Sequence, residues 1–186
     1  MTKKTQMLKK ILIASCLIMV ATAWRIINHS YSLAPNLELV TAVSVLAAII
    51  IGLRAAIAVP LITMIISDLI IGNSSIFVFT WSSFVIIGLC ALILKRLNSR
   101  PKAQIVGSAG FAVASSFFFF FATNFGVWLQ GWYPATISGL ATCFTLAIPF
   151  YRTMLIGNMI IVPAAVLGWQ LISSHQKAHA AVAVKN

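Results

Sequence analysis

The sequence predicts an all-α membrane protein with a bundle of six transmembrane helices. Of its 186 residues, 61% are hydrophobic and only 8% are charged, a composition far from that of soluble domains. Six apolar stretches also approach or reach the length of a spanning helix, which is roughly 17 to 25 residues. They cover residues 11–27, 37–53, 55–72, 76–94, 104–123 and 154–172.

A seventh apolar stretch, residues 136–150, is bracketed by Pro134 and Pro149. It is shorter than a spanning helix requires, and proline is disfavoured inside a helix. We therefore predict a short interfacial or re-entrant helix between the fifth and sixth spans.

The distribution of basic residues predicts the topology. With six spans, eleven of the 13 Lys and Arg residues fall on one side of the membrane, and only Arg25 and Arg152 fall on the other. The positive-inside rule places the eleven in the cytoplasm, together with both termini. A seventh span would weaken this contrast, and cleavage of the signal-like first helix would leave only five spans. We predict a basic cytoplasmic N-terminus at residues 1–10, a single transmembrane domain at 11–173 and a cytoplasmic tail at 174–186.

Several classes of function are disfavoured. The formal net charge is +11, but the basic residues lie at the ends of apolar runs rather than along one face, so we expect no nucleic-acid partner. The chain has no GxSxG, HExxH or P-loop motif. Its cysteines and histidines lack the spacing of a metal site. We therefore expect no enzyme activity, no metal and no cofactor.

Asp68 is the most informative single residue, because it lies within the third predicted span. A carboxylate near the centre of a span costs about 2.5 to 3.5 kcal/mol, so it should face the bundle or an aqueous cavity. It could contact a ligand, pair with Arg25 or Arg152, or cap the turn that follows Gly72. Each arginine could in turn bind an anionic ligand or extend toward lipid phosphates.

The remaining candidates lie at the outer ends of the helices. Glu38 begins the second helix, where a carboxylate complements the helix dipole, so a structural role is favoured. Asn124, Trp128 and Tyr133 belong to an aromatic segment after the fifth span. Such a segment is typical of an interfacial aromatic belt, and it could also form a lid over a flat, partly apolar ligand. Trp81, in the first turn of the fourth helix, is predicted to be an interfacial anchor.

The chain resembles a bacterial family of transport proteins that is defined by a domain of unknown function. That family is related to the substrate-binding S components of energy-coupling-factor (ECF) transporters. The resemblance covers roughly residues 20 to 170. It rests on Arg25, Pro35-Asn36, residues 40–42, 67–72, 119–128, 132–136 and 147–150, with Gly139-Leu140.

The resemblance implies a six-helix, S-component-like bundle in the bacterial inner membrane, whose outward loops close over a vitamin-like small molecule. It also implies a separate transmembrane coupling subunit and two cytoplasmic ATPases as partners, beside membrane lipid. Asn158 stands where the resemblance leads us to expect an acidic residue.

Together these observations predict a membrane substrate-capture subunit for uptake of a small organic micronutrient. The predicted substrate-binding residues are Arg25, Asn36, Asp68, Asn124, Trp128, Tyr133 and Arg152. One alternative is a stand-alone secondary transporter that uses Asp68 for proton coupling. The other is a membrane scaffold without a small ligand, in which the small residues Ser44, Ala48 and Gly52 would form a helix contact.

Overall fold

The computed structural model describes residues 2–72 and 74–183, with side chains through residue 176. Within these residues all regular secondary structure is helical, without strands, so the all-helical prediction is confirmed. The helices are α1 (Lys3–Tyr31), α2 (Val40–Ile50), α3 (Leu53–Ile71), α4 (Phe77–Cys90), α5 (Leu92–Lys95), α6 (Pro101–Leu129) and α7 (Ile137–Ala183).

Five helical segments of the described chain are long and apolar enough to cross a membrane. They are compatible with the membrane helical bundle that the sequence predicts. The segments are α1, α3, α6, the pair α4 and α5 taken together as Phe77–Lys95, and the part of α7 within Ile137–Gln176.

The second helix is much shorter than the predicted span of residues 37–53. With 11 residues, α2 is about 17 Å long, little more than half the hydrocarbon thickness of a bilayer. Residues 37–39 stay outside the helix because Trp24 and Asn28 of α1 both donate a hydrogen bond to the carbonyl oxygen of Leu37, each at 2.9 Å. The short helix lies in the middle of the bundle, with nine of its residues buried, so protein rather than lipid surrounds its ends.

The predicted separate helix at residues 136–150 is wrong, because this stretch is the first part of α7. That helix continues for 47 residues through both Pro149 and Pro163. A proline removes only one backbone donor, and an apolar setting strongly favours keeping the remaining helical hydrogen bonds. At about 1.5 Å per residue, α7 is roughly 70 Å long and greatly exceeds the thickness of a bilayer.

The predicted boundaries at residues 10 and 173 fall inside helices. Thr2 caps α1, and its hydroxyl accepts the backbone N–H of Thr5 at 3.3 Å, so the basic N-terminal segment is helical. At the other end, α7 extends past residue 173 to Ala183. The side chain of Lys177 and all of Lys185, both assigned to the cytoplasmic tail, lie outside the described residues.

The bundle has two chemically different ends. At one end, Lys3, Lys10 and Arg54 line a shared surface cavity of about 500 Å³, and the ammonium group of Lys95 lies next to Gly52. The opposite end holds the C-terminal parts of α1 and α3, including Arg25 and Asp68. This second end contains the candidate site.

Candidate functional site

A cavity of about 810 Å³ opens at the end of the bundle away from the basic cluster. It lies between the C-terminal parts of α1, α3 and α6 and the N-terminal halves of α4 and α7. The connection between α1 and α2 completes it. Its polar lining residues include Arg25, Asn28, Asn36, Glu38, Asp68, Thr123 and Asn124, and its apolar ones include Met64, Phe84, Phe119, Phe120, Val127, Phe150, Tyr151 and Met154.

An ion pair joins α1 to α3 at this cavity. The Nη2 of Arg25 donates to Oδ1 of Asp68 at 2.6 Å, and the two side chains are 19% and 7% exposed. The Nε of Arg25 also donates to the hydroxyl of Ser67 at 2.7 Å. The indole N–H of Trp81 donates to the second oxygen of Asp68 at 2.7 Å. Both carboxylate oxygens of Asp68 are therefore engaged, and of the two arginines that the sequence offers as partners, Arg25 is the one in contact.

The connection between α1 and α2 is held in place by Asn28. Its amide nitrogen donates to the carbonyl oxygens of Ala34 and Leu37, and its amide oxygen accepts the N–H of Ala34, each at 2.9 Å. Asn36 adopts a left-handed conformation with φ of 61°, which asparagine tolerates better than most residues. The side chain of Leu37 packs closely against Gly157 of α7. These contacts place Asn36 and Glu38 at the cavity.

Glu38 combines a structural contact with an unused oxygen. Its Oε2 accepts the backbone N–H of Thr41 at 2.8 Å, which satisfies one of the free donors at the start of α2. This contact is the structural role that the sequence favours. Its Oε1 is buried and has no hydrogen-bond partner among the described residues.

A second buried polar group connects α2, α6 and α7. The amide nitrogen of Asn158 donates to the hydroxyl of Ser116 at 3.1 Å and lies 3.5 Å from that of Thr41. The amide oxygen of Asn158 has no hydrogen-bond partner among the described residues. Since Thr41 contacts both Glu38 and Asn158, a band of buried polar atoms extends from the cavity into the bundle.

Aromatic rings form much of the apolar wall. Phe84 of α4 packs on Phe119 of α6 with ring centroids 4.6 Å apart. Phe120 of α6 packs on Tyr151 of α7 at 4.8 Å. All four residues line the cavity, so two aromatic pairs offer apolar surface to a bound ring.

The structure brings four of the seven predicted binding residues to one place. Arg25, Asn36, Asp68 and Asn124 line the cavity, although the amide nitrogen of Asn124 donates to the carbonyl oxygen of Phe120 in its own helix at 2.7 Å.

The other three predicted residues are absent from the described lining. The indole N–H of Trp128 donates to the carbonyl oxygen of Pro134 at 3.0 Å and so holds the turn between α6 and α7. Tyr133 lies in that same turn, half-buried, and Arg152 is exposed on α7.

Sequence reasoning missed several contributors to the site, Asn28 among them. Ser67 and Phe84 were not singled out, and Trp81, predicted to be an interfacial anchor, instead binds Asp68. The spacing of Trp81 and Phe84 could have indicated a shared face, since residues three apart lie on one side of a helix.

The described residues contain no group of three or more His, Cys, Asp or Glu side chains that could hold a metal ion. The polar groups that line the cavity are amides, hydroxyls, carboxylates and a guanidinium, which form hydrogen bonds and ion pairs.

The span-length apolar helices and their packing define the class as a helical bundle compatible with a membrane. The chain belongs to the family of unknown function DUF6580, whose model matches residues 5–181. No curated protein and no solved structure matches the chain.

Proposed function

We propose that this chain is a membrane substrate-capture subunit for uptake of a small organic micronutrient. The cavity is the observation that carries this proposal. Its volume of about 810 Å³ lies within the range of roughly 300 to 1,000 Å³ that is usual for small-molecule sites. Its mixture of aromatic walls and a few placed polar groups is also typical of such sites.

The positions of the charges support an outward-facing cavity. Lys3, Lys10, Arg54 and Lys95 gather at the opposite end of the bundle, and basic residues favour the cytoplasmic side. In a bacterial inner membrane the cavity would then open to the outside, where a nutrient arrives.

Energy coupling would come from other subunits. The sequence carries no nucleotide-binding P-loop, and the resemblance to S components supports a separate coupling subunit with two ATPases.

Ligand binding to the purified protein tests this function. We expect at least one member of a vitamin and nucleobase panel to raise the unfolding temperature saturably, because a ligand that binds only the folded state stabilises it. Native mass spectrometry of gently purified protein should show a retained small molecule.

A matched pair of variants on α7 tests whether the ligand-induced stabilisation arises from binding in the cavity. Ala147 lines the cavity, so Ala147→Phe should remove the stabilisation by filling the space. Ala141 is exposed on the same helix, so Ala141→Phe should leave it unchanged. Absence of saturable stabilisation across the whole panel, or equal loss in both variants, would contradict the proposed function.

A further inference from the structure

The formal charges of the ionisable residues that line the cavity do not cancel. They are Arg25, His29, Glu38, Asp68 and Tyr151. His29 is exposed and counts as neutral in the formal charge at pH 7, and the tyrosine hydroxyl is uncharged. The remaining formal charges are one positive and two negative.

The positive charge is already used within the protein. Arg25 and Asp68 are in contact at 2.6 Å, and Ser67 and Trp81 take up further hydrogen bonds of the pair. A ligand therefore meets this pair as a unit without net formal charge. The charge left over in the cavity is the single negative charge of Glu38.

Glu38 has a carboxylate oxygen whose hydrogen-bonding capacity no described residue uses. The side chain is 7% exposed, and one oxygen accepts only the N–H of Thr41 at 2.8 Å. The other oxygen is buried and has no partner among the described residues. Buried carboxylates are unfavourable unless they are paired and hydrogen-bonded, so the cavity is suited to a ligand that supplies the missing donor.

The walls of the cavity favour the same kind of ligand. Phe84, Phe119, Phe120 and Tyr151 present paired aromatic rings to the space. Aromatic faces pack on flat rings and attract cations electrostatically. A flat ring that carries positive charge would match both the walls and Glu38.

We propose that the ligand is a planar aromatic organic cation and that Glu38 pairs with its positive charge. This inference rests on the proposed function and names its substrate class. The terminal torsion angle of a glutamate side chain has a broad distribution. The carboxylate can therefore rotate toward a ligand in the cavity while an acceptor for the backbone N–H of Thr41 stays nearby.

The test compares probes that share one ring but differ in charge. Ring-N-methylated nicotinamide is a cation, nicotinamide is neutral and nicotinate is an anion. Their dissociation constants are measured on the purified full-length protein, and the same ranking by charge is made for all binders in the vitamin and nucleobase panel. We expect the cations to bind most tightly in both sets.

Glu38→Gln removes the charge but keeps a carbonyl oxygen that can accept the N–H of Thr41. This variant should bind the cation about tenfold or more weakly, since a hydrogen bond to a charged group is among the stronger ones. It should bind the neutral probe nearly as before. Thr123→Val is the control, because Thr123 lines the cavity without a formal charge, and its hydroxyl bonds its own helix. The control should leave the ratio of cation to neutral affinity unchanged.

Three outcomes of this test distinguish a failure of the proposed substrate class from a failure of the proposed function. Tightest binding by neutral or anionic compounds would overturn the cationic class and leave the capture function standing. A cation affinity unchanged in a folded Glu38→Gln protein would also overturn the role of Glu38. Absence of saturable binding by any compound would overturn both proposals. The ranking by charge uses the unaltered protein, so it decides the class even where the variant does not fold.

Discussion

At the scale of single residues, the pair of Arg25 and Asp68 is the central electrostatic feature. The sequence allows Asp68 to pair with either Arg25 or Arg152. The structure selects Arg25, because α1 packs along α3, whereas Arg152 is exposed on α7. The indole N–H of Trp81, from α4, donates a further hydrogen bond to the carboxylate of Asp68. Three helices therefore meet at one carboxylate, and the pair fixes their positions relative to one another.

We expect removal of one member of the pair to destabilise the protein more than removal of both. Arg25→Met or Asp68→Asn should each cost about 3 kcal/mol, because each leaves a partly buried charge without its partner. The double variant Arg25→Met with Asp68→Asn leaves no unpaired charge and should cost less than either single change. Unfolding in mixed micelles, analysed as a double-mutant cycle, measures the coupling.

Strict additivity of the two changes would contradict this account. It would show that the side chains contribute independently and that their contact at 2.6 Å adds nothing to the stability of the bundle.

At the scale of helices, the contact between α3 and α4 depends on the absence of a side chain at Gly88. A Cβ atom at this position would clash with the backbone carbonyl oxygen of Ala56. Small residues allow helices to approach closely in apolar surroundings, where packing dominates association. The sequence identified Ser44 and Ala48 as such a stripe, and both are fully buried in α2, but it did not single out Gly88.

We expect Gly88→Ala to reduce stability by about 1 to 3 kcal/mol, since the backbone of Ala56 must move to relieve the overlap. Gly110 is the matched control: it is also helical, and a Cβ there would meet nothing within 4 Å. Gly110→Ala should be neutral or slightly stabilising, because alanine is the better helix former. Unfolding of the two variants in the same detergent compares them, and an equal loss in both would refute the close-contact explanation.

At the scale of the whole molecule, the cluster of basic residues and the cavity lie at opposite ends of the bundle. The basic residues at the start of α1, the turn from α2 to α3 and the end of α5 face one side. The cavity and its acidic residues face the other. The same asymmetry that predicts the orientation of the helices therefore also predicts the side of the membrane on which the candidate site opens.

This arrangement predicts opposite accessibility for two serines in connecting segments. Ser75, between α3 and α4, lies at the cavity end, and Ser99, between α5 and α6, lies at the basic end; both are exposed. With the native cysteines replaced, Ser75→Cys should react with a membrane-impermeant maleimide in right-side-out bacterial membranes. Ser99→Cys should react only after permeabilisation. The reverse pattern would place the cavity on the cytoplasmic side.

Much of the helical architecture is predictable from the sequence because apolar run length determines which segments can form spanning helices. The bounds of α3 and the combined α4 and α5 are predicted closely. The length of α2 is not, because its start depends on hydrogen bonds from α1 to the carbonyl oxygen of Leu37. The continuity of α7 through Pro149 also depends on context, since the local preference of proline predicts a break there.

The sequence by itself determined the helical class, the distribution of basic residues and the candidate status of Arg25 and Asp68, because each follows from composition or from a charge inside an apolar run. Only the tertiary structure decided which arginine pairs with Asp68 and which aromatic residues line the cavity. It also decided that Glu38 is left with an unpartnered oxygen among the described residues. These features depend on distances between helices that are far apart in the chain, and hydrophobic periodicity along one helix carries no information about them.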